Sequence, residues 1–369
     1  MLYKTLRNTS LAAVGVAALG MASLGTAQAA DLVVVSWGGA YTASQQKAYH
    51  EPYMEMHPDI SITNDDSGAE ALAKLRAQTE AGNVTWDLVD MTAADAISAC
   101  DEGLVLEIDH DEMLADAPDG TPPSGDFVEG SLFECFIPQI VYSTTFGYRT
   151  DAFDGDGPTS IADVFDLEKF PGKRSLEKRA INNLEWALLA DGVPADEIYD
   201  LLETDEGVAR AFAKLDTIKD EIVWWTKGAQ PAQLLADGEV VVASAYNGRL
   251  FSAIAEENQP IAMMWDWQML DLDGWVVPAD GNNVDTVLEY VKWATDTQRL
   301  ADQAKYISYG PARYSSAPFV GEHAELGIDM KPHMPTSPEN AKNTLLTNYE
   351  WWADNKGELD ERFQAWLSQ

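Results

Sequence analysis

The stretch 31-DLVVVSWGGAYTASQQKAYHEPYMEMHPDISITNDD-66 decides the fold class. Asp31 to Ser36 is a short run rich in β-branched residues, the composition of a buried strand. Trp37-Gly-Gly-Ala-Tyr41 breaks it, because adjacent glycines free the backbone to turn. A helix is expected from about Thr42 to Met56, stopped at His57-Pro58, since proline pushes its predecessor out of the α region. Ile60 to Thr63 reads as the next strand. The pattern then repeats, with a helix over Ala69 to Ala81, a strand over Trp86 to Asp90 and a helix over Ala93 to Glu102. Strands alternating with helices of this length predict an α/β fold with a parallel sheet and right-handed crossovers. Ligands of such sheets sit beyond the carboxyl ends of the strands, here Ser36-Trp37 and Met91-Thr92.

Upstream lies an export segment. Lys4 and Arg7 form a positive start, Leu11 to Leu24 is a run of small apolar residues, and Ala27-Gln-Ala29 supplies a small-x-small cleavage pattern. Residues 1–29 therefore read as a cleaved signal peptide, with a periplasmic mature chain starting at Ala30. No later stretch approaches the roughly 20 apolar residues of a membrane-spanning helix. The mature length suits two domains. A formal net charge of −37 repels nucleic acid and anionic membranes, and a solvated acidic surface accounts for it without a cationic ligand. The two cysteines, Cys100 and Cys135, are an even count in an oxidising compartment and predict a disulfide. Two thiols without nearby histidines cannot fill a zinc site, so neither metal nor cofactor is expected.

The middle of the chain reads differently. Ile137 to Tyr148 is a long β-prone run whose Pro138 suggests an edge or a change of domain. Helices are expected near 160–168, 179–190, 195–203 and 205–219, then a strand over Val240 to Ala245, a helix over Gly248 to Glu257, a strand over Trp275 to Pro278 and a helix over Val284 to Thr295. The implied architecture is two α/β lobes with chain crossings near residues 143 and 272, giving lobes of 30–142 plus 273–317 and 143–272 plus 318–369.

Catalysis has little to stand on. The five histidines are scattered, and there is no nucleophile elbow or phosphate loop. Asp65-Asp66 and Asp271-Leu-Asp273 are acid pairs of the glycosidase kind, leaving an exported sugar-acting enzyme as the competing class. Aromatic rings and acids at loop positions say more. Trp37 follows a strand directly, Trp224-Trp225 precede Thr226-Lys-Gly-Ala-Gln230, and Tyr246 ends a strand. Trp265-Asp-Trp267 and Asp271-Leu-Asp273-Gly-Trp275 follow downstream. Core packing is an ordinary use of any one ring, but an amine among aromatic faces beside a carboxylate is also a standard cation site.

These runs, VVVSWGGAY at 33–41, WDLVDMTAAD at 86–95, WWTKGAQPAQLLADGEVVVASAYNGR at 224–249, DLDGWVVPADG at 271–281 and SYGPARY at 308–314, resemble the periplasmic solute-binding proteins of ABC importers, specifically the spermidine/putrescine-binding group. The resemblance implies a two-lobed periplasmic-binding-protein fold of type II kind, closing like a hinge on a ligand between the lobes. It implies a polyamine ligand, ABC permease subunits as partners and a monomer that is not an enzyme. Trp37 matches the first aromatic wall, Thr92 the loop after the third strand, Tyr246 a second aromatic and Asp273 an acid that grips an amine. Asp271 stands where an aromatic is expected, Tyr309 matches a pocket tyrosine, and Thr226 and Gln230 lie in a polar loop. Tyr306 and Tyr309 are a weak match to the iron-binding branch.

The departure from the group is 169-KFPGKRSLEKRAINNLEWALLADG-192. Where polyamine binders place acids for the distal amine, this chain has Lys178 and Arg179. Lys173 and Arg174 are expected to be solvated. An Arg179 facing the cleft repels an ammonium and pairs with a carboxylate. The alternative ligand is therefore a zwitterion, an ω-amino acid or a betaine, with its amine by Asp271 and Asp273 and its carboxylate by Arg179.

Overall fold

The computed structural model describes residues 30–369, so the export segment read over 1–29 lies outside the described residues. The first half follows the expected alternation. Strand β1 (Ala30–Val35) pairs in parallel with β2 (Ile60–Asp65) and β3 (Leu88–Thr92). Gly38 and Gly39, both at positive φ, turn the chain from β1 into a helical run that passes from Gly39–Gln45 through a π-turn at Gln46–His50 to Glu51–Met56. Thr92 ends β3 and caps helix Ala93–Asp101, its hydroxyl accepting from the Asp95 amide.

The chain then crosses. β4 (Ile137–Arg149) and β8 (Ile261–Val276) run antiparallel side by side at the centre of one sheet. Among the described residues the sheet order is β2-β1-β3-β8-β4-β7-β5-β6, completed by β5 (Arg174–Glu177), β6 (Ile222–Trp225) and β7 (Val242–Tyr246). β7, β5 and β6 form a second parallel set, while β9 (Gly310–Pro311) pairs β4 and β10 (Thr344–Leu346) pairs β8. The far end of β8 pairs β3, and the far end of β4 pairs β7, so each long strand serves both halves. Pro138 lies in this central pairing, with a register shift before Ile140. Gly274 lets the two strands approach, since a Cβ there would sit 2.3 Å from the Ile137 carbonyl oxygen.

Several expectations need correction. Trp265, Trp267, Asp271 and Asp273 belong to the long strand β8 rather than to loops, and Trp224-Trp225 belong to β6. Arg174 is buried, not solvated: its guanidinium donates to the carbonyls of Val164, Asp166 and Gly172, which compensate its desolvation. Helix Asn183–Ala190 begins four residues later than expected, after Asn182 adopts positive φ. Seven of the twelve tryptophans are buried, so core packing accounts for most of this chain's tryptophan. Trp186 is typical, packed 4.6 Å from Phe146 between ring centroids and donating its indole N–H to the Trp267 carbonyl. Cys100 and Cys135 form the expected disulfide, tying the end of helix Ala93–Asp101 to the segment entering β4.

Candidate ligand-binding site

The carboxyl ends of β1 and β7 face each other across the central pair β4–β8, and an aromatic cavity lies between them. It is lined by Trp37, Tyr41, Ile140, Tyr142, Tyr246, Arg249, Asp273 and Tyr309. Strand periodicity builds its floor. Ile140 and Tyr142 are two apart on β4, and they pair with Asp273 and Asp271 on β8, so one face of the ladder presents all four.

One wall is acidic. Asp273 is buried, and Asp90 lies diagonally across the β3–β8 pairing, where Thr92 opposes Asp273 and Asp90 opposes Trp275. Asp90 accepts from the Trp37 indole (3.3 Å), the Tyr41 hydroxyl (3.0 Å) and the Gln45 amide (2.6 Å). Asp273 accepts from the Gly274 amide at 3.0 Å. Burial pushes the Asp90 carboxyl up to about 6 against these hydrogen bonds. Burial, and then the adjacent Asp90 carboxylate, hold Asp273 well above the ordinary range. Two neighbouring carboxyls of this kind are a receptor for a cation, which relieves their repulsion.

The opposite wall carries a cation. Among the described residues three arginines are buried, Arg174, Arg249 and Arg313. Arg174 is satisfied by carbonyls, as described, and Arg313 by Asp126 at 2.6 Å together with the carbonyls of Thr295 and Ala115. Arg249 has no carboxylate within 4.0 Å among the described residues. Its Nη2 donates to the Trp37 carbonyl across the cleft at 3.1 Å, its Nε has no hydrogen-bond partner, and its guanidinium lies 5.9 Å from the Tyr246 ring centroid. The neighbouring glycines make room for it: a Cβ on Gly39 would lie 2.9 Å from Nη1 and one on Gly228 2.8 Å from Nε. Helix Asn247–Phe251 holds the arginine in place, because Asn247 accepts from the Ser143 amide and donates to the Ser308 carbonyl.

Of the residues singled out in the sequence, Trp37, Tyr246, Asp273 and Tyr309 line this cavity. Thr92 is a helix cap beside it. Asp271 lies next along β8, accepting from the Tyr142 hydroxyl at 3.1 Å, and burial pushes its carboxyl up to about 7 while the Arg179 charge opposes the shift. Arg179 pairs with Glu177 at 2.7 Å, outside the lining. Gln230 accepts from the Thr226 and Lys227 amides, holding its own loop together, and Thr226 is exposed. Sequence reasoning missed Tyr41, Asp90, Ile140, Tyr142 and Arg249. Strand alternation from Asp271 and Asp273 across to β4 was the signal for Ile140 and Tyr142.

A sheet whose two halves share a pair of crossing strands, with a small polar-ended aromatic cavity between the halves, defines a two-lobed solute-binding protein. The chain belongs to the bacterial extracellular solute-binding protein family, whose description matches residues 48–336. The chain is 36% identical over 343 residues to a gamma-aminobutyric acid-binding protein of Pseudomonas aeruginosa, covering 93% of this chain and 92% of the relative. Among solved structures it is similar to the binding protein MotA of Agrobacterium tumefaciens B6 in complex with glucopine, at 29% identity and a TM-score of 0.82, over 92% of this chain and all of the other. A GABA receptor structure aligns at 32% identity with a TM-score of 0.76, over 92% of this chain and 98% of the other. Membership of an extracellular family implies an exported protein, and these relatives are binding proteins rather than enzymes.

Proposed function

We propose that this chain is the periplasmic binding component of an ABC importer for a small zwitterion of the ω-amino acid class, with 4-aminobutyrate as the representative ligand. The single observation that carries the reading is the buried Arg249, without an acid partner, facing the same aromatic cavity as the buried Asp273. Arg249 takes the ligand carboxylate through paired N–H donors. Asp273, backed by Asp90, takes the ammonium, and the rings of Trp37, Tyr41, Tyr142, Tyr246 and Tyr309 enclose the methylenes and the cation. The relatives described as binding gamma-aminobutyric acid support the same class.

The polyamine reading fits less well. A diamine brings a second ammonium toward Arg249, and two like charges about 5 Å apart at an effective dielectric of about 20 repel by roughly 3 kcal/mol. The carboxylate anchor is thus assigned to Arg249 in place of Arg179. The lobes are 30–142 with 273–317 and 143–272 with 318–369, hinged on β4 and β8, and the closed monomer delivers its ligand to the permease subunits. A thermal-shift panel of 4-aminobutyrate, glycine betaine, putrescine and spermidine tests the reading. A melting temperature raised by 4-aminobutyrate and unmoved by the polyamines is the expected outcome, and the reverse order overturns it.

A further inference from the structure

A second arginine stands behind the cavity wall, outside its lining. Arg179, in the turn after β5, has its side chain 21% exposed, and that of Glu177 at the end of the strand is 14% exposed. Their closest atoms, Arg179 Nε and Glu177 Oε2, are 2.7 Å apart but not aligned as a hydrogen bond. Among the described residues the Arg179 guanidinium donates to no other protein group. This pair stands against the cavity wall: the Tyr246 hydroxyl reaches Glu177 Oε1 at 3.4 Å, the Tyr142 and Tyr246 rings meet edge-on at 5.6 Å, and Tyr142 donates to Asp271. The charge of Arg179 is felt at Tyr142 and Asp271 alike.

We propose that Glu177 is a specificity-determining residue: it offsets the charge of Arg179 behind the cavity wall and so denies that guanidinium to ligands carrying a carboxylate beside the amine, the α-amino dicarboxylic acids. The proposal rests on the zwitterion reading above. An amine held at Asp273 brings a carboxylate on the same carbon toward Asp271, two residues along β8. That anion meets a buried acid on one side and, on the other, an arginine whose charge an intramolecular carboxylate already offsets. Such a ligand differs from an ω-amino acid only by this group, so rejecting it takes an unfavourable contact in place of a new attractive one. Taking Glu177 away removes the negative charge that offsets the Arg179 guanidinium, leaving that positive charge behind Tyr142 and Tyr246 available to the added carboxylate.

The test is calorimetric, with 4-aminobutyrate and L-glutamate as probes against the wild-type chain, Glu177→Ala, Glu177→Gln and the double variant Glu177→Ala/Arg179→Ala. Wild type is expected to prefer 4-aminobutyrate by at least about 100-fold. Either Glu177 variant should narrow that ratio by about tenfold or more through gained glutamate affinity, and the added Arg179→Ala should abolish the gain. Glu177→Gln keeps the side-chain volume, so the ratio can be read even if the alanine variant fails to fold. Wild type that binds 4-aminobutyrate while both variants keep the wild-type ratio overturns this proposal alone, as does a glutamate gain that persists without Arg179. Wild type that binds neither probe overturns the zwitterion reading and this proposal with it.

Discussion

Replacing Arg249 by methionine removes the cation and keeps much of the side chain's apolar length. Arg249 is 6% exposed, has no acid partner among the described residues and leaves Nε without a hydrogen bond, so a bound carboxylate meets no competing protein carboxylate there. Truncating one member of a buried, hydrogen-bonded charge pair costs about 2–5 kcal/mol, which is roughly 30-fold to several-thousandfold in Kd. Part of the loss belongs to closure, because Arg249 also bonds the Trp37 carbonyl across the cleft at 3.1 Å. That part falls on every ligand equally. Isothermal titration with 4-aminobutyrate and with 4-aminobutyramide, whose neutral amide replaces the carboxylate, separates the two. The variant should lose at least about 30-fold more affinity for the acid than for the amide. Equal losses for both would refute the carboxylate assignment and leave Arg249 as a closure contact.

Two further outcomes follow from the buried acids. Asp273 stays protonated well above the ordinary carboxyl range in the empty cleft, while an ammonium beside it favours the ionised form, so binding should release a proton. Affinity for 4-aminobutyrate should then rise with pH above about 6, where Asp90 titrates, by up to about tenfold per unit; Asp273→Asn should bind weakly and lose that slope, and a wild-type affinity flat between pH 6 and 8 would contradict the cation wall. Glu185 is buried in the second half, accepting from the Trp352 indole at 2.7 Å, and burial pushes it up to about 7. A raised carboxyl binds more protons folded than unfolded, so its contribution to stability falls as pH rises from about 4.5 to 7, by about 3 kcal/mol. Urea denaturation of Glu185→Gln should therefore show little difference from wild type at pH 4.5 and a more stable variant at pH 8; equal stability at both would count against it.

The first half of the fold was legible because its strands and helices carry unmixed periodicity and punctuation, as in Val33–Val35 ahead of Gly38-Gly39. The second half was harder. β5 and β6 are four residues each, too short for alternation to register, and β8 mixes polar and aromatic residues because it passes from one half to the other through the site. At the site, Trp37 and Tyr246 stood out as aromatics ending strands, and Asp273 through its matching position in the family. Arg249 did not, since a single cation in a short helix reads as surface until packing shows it buried. Arg174 and Arg179 show the same limit. One turns inward to carbonyls and the other stays beside Glu177, and neither orientation is written in local sequence.

The central claim is that the cleft takes one positive and one negative end. Isothermal titration of the wild-type protein with 4-aminobutyrate and with putrescine, which share a four-carbon chain and differ in one terminal group, tests it most directly. 4-Aminobutyrate should bind at least about 100-fold more tightly, as a like-charge penalty of roughly 3 kcal/mol requires. Putrescine binding as tightly as 4-aminobutyrate, or more so, would contradict it.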